Sequence, residues 1–288
     1  MADFRPEILL ALDIETVPDV RLLPHDWLPE KFPKIAWHEV VAISFVVARI
    51  VRDGDLETYV IEECRSGGDA SYDEPMLLRS FWRFFAEQKP RLVTWNGRSF
   101  DLAVLRFRAM MHGIATDVWS KSGDKWAGYH HRYSPGWHCD LMEQCSDYGS
   151  STRLTLQEAS VALGYPGKIG GSGGTVATMV EAGRLDAVRA YCECDALLTF
   201  GVYMHWACAT GLSTPAALAE GLDATVSYLT EHKATHPHFA EFLDGWTPRY
   251  PERRPPVPPP PVKPFPFPRR LPRMKSQLPT AARSTTGR

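Results

Sequence analysis

The chain predicts an α/β domain built on a mixed β-sheet with helices on both faces. Three observations carry this. Strand-like apolar runs come early, at 7–16, 38–51 and 56–63. Segments with helical spacing then follow and interleave with one more short strand. Finally, composition breaks near Trp246, and half of the 24 prolines lie after residue 250. The folded domain is therefore expected over 1–245 and a disordered, Pro-rich tail over 246–288.

Each element has its own reason. "EILLALDIET" is an apolar strand, and "HEVVAISFVVARIV" is continuous and apolar enough to lie at the centre of a sheet. "RDGD" turns the chain into "LETYVIEE", which alternates as a half-buried strand does. "DEPMLLRSFWRFFAEQ" opens on a capping Asp and keeps helical spacing. "RLVTWNG" is a short strand running into a turn, and "DLAVLRFRAMMHG" is a helix that Gly113 stops. After an irregular aromatic stretch, "LTLQEASVALG" and "LDAVRAYCECDALLTFGVYMHWAC" read as helices, with "TPAALAEGLDATVSYLTEH" as the final one. No internal repeat is visible.

Composition narrows the class. With 44% hydrophobic and 23% charged residues, 288 residues suffice for an ordinary globular domain with a sizeable core. The net charge of −2 hides an asymmetry. Residues 251–288 hold nine Lys/Arg and one acid, leaving about −10 on the other 250. A basic tail suits a polyanionic partner, and the PxxP spacing in "PPVPPPPVKP" suits a proline-motif-reading domain. Six cysteines show no CxxC pair, and the two of "CEC" diverge on a helix, which argues against zinc and for a reducing compartment. The N-terminus lacks a signal-peptide core, and the longest apolar run, 40–48, is far short of the ~20 residues a membrane helix needs. A cytoplasmic protein without membrane contact is expected.

Two acids interrupt the first strand. An extended chain puts Asp13 and Glu15 on one face and Leu12, Ile14 and Thr16 on the other. Like charges side by side repel and lose hydration when buried, so such a pair persists where a cation neutralises it. Carboxylate oxygens suit Mg²⁺ or Mn²⁺. A strand emerging into water, with both acids wet, accounts for the pair equally well. In "LVTWNGRSFDLAVL", Asp101 falls in the first turn of a helix, where plain capping would explain it. The end of a strand is, however, where open α/β sheets place their sites. In "YCECDALL", Tyr191 and Asp195 are i and i+4 and share a helix face. Glu193 points away from them and is expected in solvent.

Taken in order, "DIET", "NGRSFD" and "YxxxD" resemble the three exonuclease motifs of the DEDD superfamily in its tyrosine-containing branch. More specifically, the chain resembles stand-alone 3′–5′ exonucleases of the PolB-like kind. "FPKIAWHEVVAISFVVAR", "RYSPGWHCDLMEQCSDYG", "LTLQEASVALGYPGK" and "VATMVEAG" fall where that family has similar segments, so the likeness spans about 8–210. It implies a ribonuclease H-like fold and hydrolysis of phosphodiesters from the 3′ end, releasing nucleoside monophosphates. It also implies that Asp13, Glu15, Asp101 and Asp195 hold two divalent ions, Mg²⁺ or Mn²⁺, and that Tyr191 orients the attacking water.

Substrate contacts are expected at Asn96 and Phe100, which flank the second motif, and at Lys168. Phe100 suits stacking on a base or burial in the core, and Trp95 is expected to be buried. The interleaved aromatics and bases of "KWAGYHHRYSPGWH" fit either a single-strand-binding surface or a self-packed loop. His138 and Asp140 are expected to be structural. "YPGKIGGSGG" lacks the order of a P-loop. The expected partners are 3′ ends of single-stranded DNA, with RNA as the alternative within the superfamily, and any proofreading would be supplied in trans. A binding or scaffolding protein recruiting partners through its tail is the alternative from another class.

Overall fold

The computed structural model describes residues 4–28, 31–69, 71–167, 169 and 173–248. The elements in order are β1 (Ile8–Pro18), β2 (His38–Asp53), β3 (Leu56–Ser66), α1 (Glu74–Gln88), β4 (Arg91–Thr94), α2 (Asp101–Met111), α3 (Asp117–Lys121), β5 (His138–Asp140), α4 (Leu141–Cys145), α5 (Leu156–Ala162), α6 (Val176–Glu181), α7 (Leu185–Ala209), α8 (Pro215–His232) and α9 (Pro237–Gly245). The five strands form one sheet in the order β3-β2-β1-β4-β5. β1 and β3 run antiparallel to β2, while β1, β4 and β5 are parallel. This is the expected mixed sheet flanked by helices.

Alternation along β1 sorts its side chains into two cores. Leu10, Leu12 and Ile14 face α1 and α2, packing with Leu78, Trp82, Phe85 and Leu105. Leu9 and Ala11 face the other way, onto α5, α7, α8 and α9. Asp13 and Glu15 follow in that second register, so both acids look toward α7. A bulge between Glu15 and Thr16 shifts the β1–β2 pairing directly after the second acid, a place where bulges re-aim side chains. The chain runs from β1 to β2 and β3 on one side and reaches β4 and β5 on the other. The C-terminal ends of β1 and β4 therefore bound a crevice at the switch point of the sheet, where open sheets place their sites.

Two expectations need correction. α8 is not the last helix, because α9 follows it, opened by Pro237 and burying Phe239 and Phe242. The folded unit also runs just past the expected boundary: Trp246 is buried and stacked on Tyr165, and the Thr247 amide donates to the Gly164 carbonyl at 2.8 Å. The Pro-rich tail from residue 249 onward lies outside the described residues. No helix among the described residues is long and apolar enough to cross a membrane.

Candidate active site

β1 delivers Asp13 and Glu15 on one face of a rigid central strand. Asp195 comes from α7, and one oxygen from each of these three carboxylates lies within 4.8 Å of the others. Tyr191 sits one helical turn before Asp195 and is buried. Asp101 arrives as the first residue of α2, after the turn that follows β4. β4 pairs with β1 only as far as Val93 opposite Ala11. Beyond that point the Asp101 carboxylate takes over as acceptor, receiving the Ile14 amide at 3.2 Å. The helix cap is Phe100, and no side-chain cap bond forms there. Asp101 is thus bonded to the strand between the two acids.

All five residues line one cleft of about 510 Å³, together with Trp95, Asn96, Phe100, Met142, Arg153 and Leu154. Burial and crowding dominate its electrostatics. The Asp13 carboxyl is pushed far above the usual range, first by loss of water and then by the charges of Asp195, Asp101 and Glu15. Asp101 is pushed up to about 7, burial again being the largest cause, against the opposing hydrogen bond from Ile14. Cys192, buried beside Tyr191, places its thiol 3.3 Å from Asp13 Oδ2. Four carboxylates pressed together in this way repel one another unless cations enter. Oxygen-only donors converging within 4.8 Å suit hard divalent ions, so the residues present fit a divalent-cation site.

Asp140 holds the second motif in place. Buried at the end of β5, it accepts the Asn96 amide at 3.0 Å and the Arg98 amide at 2.9 Å, and it caps α4. The turn it clamps carries Asn96 at φ 64°. Next to it is Gly97, where a Cβ would sit 2.4 Å from Thr94 Oγ1. His138 hydrogen-bonds Thr94 Oγ1 at 2.9 Å, and burial holds its ring far below the usual pKa. Both residues have the structural role expected of them.

Other expectations divide. Asn96 and Phe100 line the cleft, while Trp95 is only half-buried and lines it as well. Lys168 lies outside the described residues. The aromatic stretch is partly self-packed, with Tyr129 and Trp137 edge-on at 5.0 Å, and partly packed on the domain, where buried Tyr129 donates to the Pro90 carbonyl and Trp137 stacks on Phe4. Trp126 and Tyr133 remain exposed. Glu193 is not in solvent. It is buried, accepts the Ser66 amide at 2.7 Å and hydroxyl at 2.8 Å, and pairs with His238 at 2.8 Å. α7 is covered on nearly every side, so it has no wet face to offer. Arg153, an exposed loop residue without a motif to announce it, brings a cation to the cleft.

A family model described as a predicted 3′–5′ exonuclease related to the exonuclease domain of PolB matches residues 30–246, about three-quarters of the chain. The matched stretch contains Asp101, Tyr191 and Asp195. It begins after Asp13 and Glu15, whose place at the site rests on the cleft geometry. No curated protein matches the chain. With three-quarters of its length inside that match, the chain belongs to the family of predicted 3′–5′ exonucleases related to the exonuclease domain of PolB, and so to the hydrolases.

Proposed function

We propose that the chain removes nucleotides one at a time from the 3′ end of single-stranded nucleic acid, DNA in preference to RNA, as a proofreading or repair nuclease acting in trans. One observation carries this reading: four carboxylates and a tyrosine from three separate segments line a single cleft. Asp13, Glu15, Asp101 and Asp195 would hold two Mg²⁺ or Mn²⁺ ions. Such ions, when bound, lower the pKa of an attacking water and balance charge on the phosphoryl and leaving oxygens.

The chain's own residues do the rest. Tyr191, fixed on α7, directs the water's oxygen toward phosphorus by a hydrogen bond and need not take its proton. Water oxygen bonds to phosphorus and gives up a proton to solvent, the bond from phosphorus to the 3′-oxygen breaks, and that oxygen takes a proton from solvent to become the new 3′-hydroxyl of the shortened strand as the nucleoside monophosphate leaves. Asn96 and Phe100 hold the terminal nucleotide, and Arg153 offers a cation to a phosphate at the cleft mouth.

The test uses 5′-labelled single-stranded DNA and RNA with Mg²⁺, Mn²⁺ or EDTA. A ladder shortening from the 3′ end with metal and absent in EDTA is expected, faster on DNA. Faster RNA cleavage would replace the sugar preference with its alternative, and no cleavage by the folded protein with any metal would favour a binding protein. Tyr191→Phe is expected to lower kcat about 10–100-fold while KM and Mn²⁺ affinity stay the same.

We also propose that the basic tail adds electrostatic attraction for the substrate, offsetting the acidic body. Deleting 251–288 is expected to raise KM and flatten its dependence on salt while leaving kcat unchanged. An unchanged salt slope would point instead to a proline-motif-reading partner.

A further inference from the structure

Phe32 is an isolated-looking aromatic in the loop between β1 and β2, with three-quarters of its surface exposed. Single exposed apolar residues are ordinary, but this ring belongs to a group. Its centroid lies 5.7 Å from Phe100 and 5.1 Å from His38, and His38 stands edge-on to Phe100 at 5.0 Å. Phe100 itself lines the cleft of acids. The rings therefore continue from the cleft wall out to solvent.

His38 ties this group to the site. It is buried, and its Nε2 donates to the Pro33 carbonyl, 3.1 Å away and one residue beyond Phe32. Its Nδ1 is then left to accept the Thr16 hydroxyl at 2.9 Å, which fixes the neutral tautomer. Thr16 directly follows Glu15 on β1. The strand that carries the first two acids thus also sets the height of the loop that presents Phe32.

We propose that Phe32 and Phe100 form a two-ring stacking platform for the last two unpaired bases of a single-stranded substrate, with His38 as its positioning residue. Every base has a π-face, so such a platform accepts any sequence. Bases in a duplex are already stacked and paired and must be freed first, so the platform favours single-stranded or frayed 3′ ends. It rests on the exonuclease reading and specifies that reading's substrate.

The experiment uses the full chain with Mn²⁺ and single-stranded DNA whose terminal linkage cannot be hydrolysed, carrying 2-aminopurine at the penultimate position. Stacking quenches this base, and the wild type is expected to quench it on binding. Phe32→Ala is expected to lose the quench and bind about 5–100-fold more weakly, with the loss of turnover on cleavable DNA falling on KM. Phe32→Trp should restore both, and Phe32→Leu, apolar but without a ring, should not. His38→Gln, whose amide can still bridge Thr16 and Pro33, should keep the quench that His38→Ala loses. Equal quench and affinity in Phe32→Ala would overturn the platform alone. A folded wild type that binds no single strand would overturn the exonuclease reading with it.

Discussion

Asp13→Asn is expected to reduce turnover at least about 10³-fold and, in EDTA, to raise the melting temperature. The two effects share one cause. In the metal-free protein the Asp13 carboxyl is pushed far above its usual range, first by burial and then by the charges of Asp195, Asp101 and Glu15. A neutral amide is spared both the loss of hydration and the repulsion that a carboxylate meets there, a relief we place on the order of 1–3 kcal/mol, or several degrees for a domain of this size. Mn²⁺ reverses the order, because it stabilises only a protein that can hold it.

Asp101→Asn allows the pH dependence to be worked out. The folded pKa of Asp101, about 7, stands above the ordinary aspartate value. Between roughly 4 and 7 the folded state keeps a proton that the unfolded state has released. Stability therefore falls as pH rises through that window. His38 and His138, whose pKa values burial lowers, act in the opposite sense below about 6.5. The informative quantity is thus the difference between variant and wild type. In EDTA the advantage of Asp101→Asn should grow from pH 5 to pH 7.5 in scanning calorimetry, and added Mn²⁺ should cancel it. A variant less stable than wild type in EDTA at pH 7.5 would mean that the cluster is not strained.

What the sequence made legible follows from period and spacing. β1, β2 and α1 are long enough for their periods to speak, and β1's alternation by itself puts Asp13 and Glu15 on one face. Tyr191 and Asp195 follow from one helical turn. β5, three residues long, has no period to detect. α9 was readable in principle, since Pro237 stands at its first position and Phe239 and Phe242 are i and i+3. Glu193 was misread because amphipathic reasoning assumes a wet face. The length and apolar content of α7 already implied burial all round, and a charge inside such a helix needs a partner. Phe32 and Arg153 sit in irregular loops where only tertiary placement gives a residue meaning. Asp101 showed a different limit. Its position suggested a cap, but its partner is the Ile14 amide, 87 residues away, which no local rule reaches.

Arg108→Met is expected to destabilise the fold by about 3–5 kcal/mol, lowering the melting temperature by about 6–20 °C. Arg108 on α2 is fully buried. It donates to Glu74 at the start of α1, at 2.7 Å through Nε, and to Asp19 just beyond β1 at 3.0 Å. Glu74 also accepts the Val40 amide of β2 at 2.8 Å and meets His112 at 2.7 Å. Asp19 is held down to about 2, chiefly by its bond to Arg21 and also by Arg108. One guanidinium thus joins the end of the strand carrying Asp13 and Glu15 to the helix that begins with Asp101. Methionine fills the volume but leaves buried Glu74 without its guanidinium, while Asp19 keeps Arg21. Lysine, a point charge, cannot reproduce the fork, so Arg108→Lys should fall in between. Adding Glu74→Gln to Arg108→Met should recover part of the loss, because the penalty lies in the stranded acid rather than in the missing arginine. Urea unfolding at pH 7 measures all three variants. A cost under about 1 kcal/mol for Arg108→Met would resemble an exposed pair and would mean that β1 and α2 are held in register by apolar packing alone.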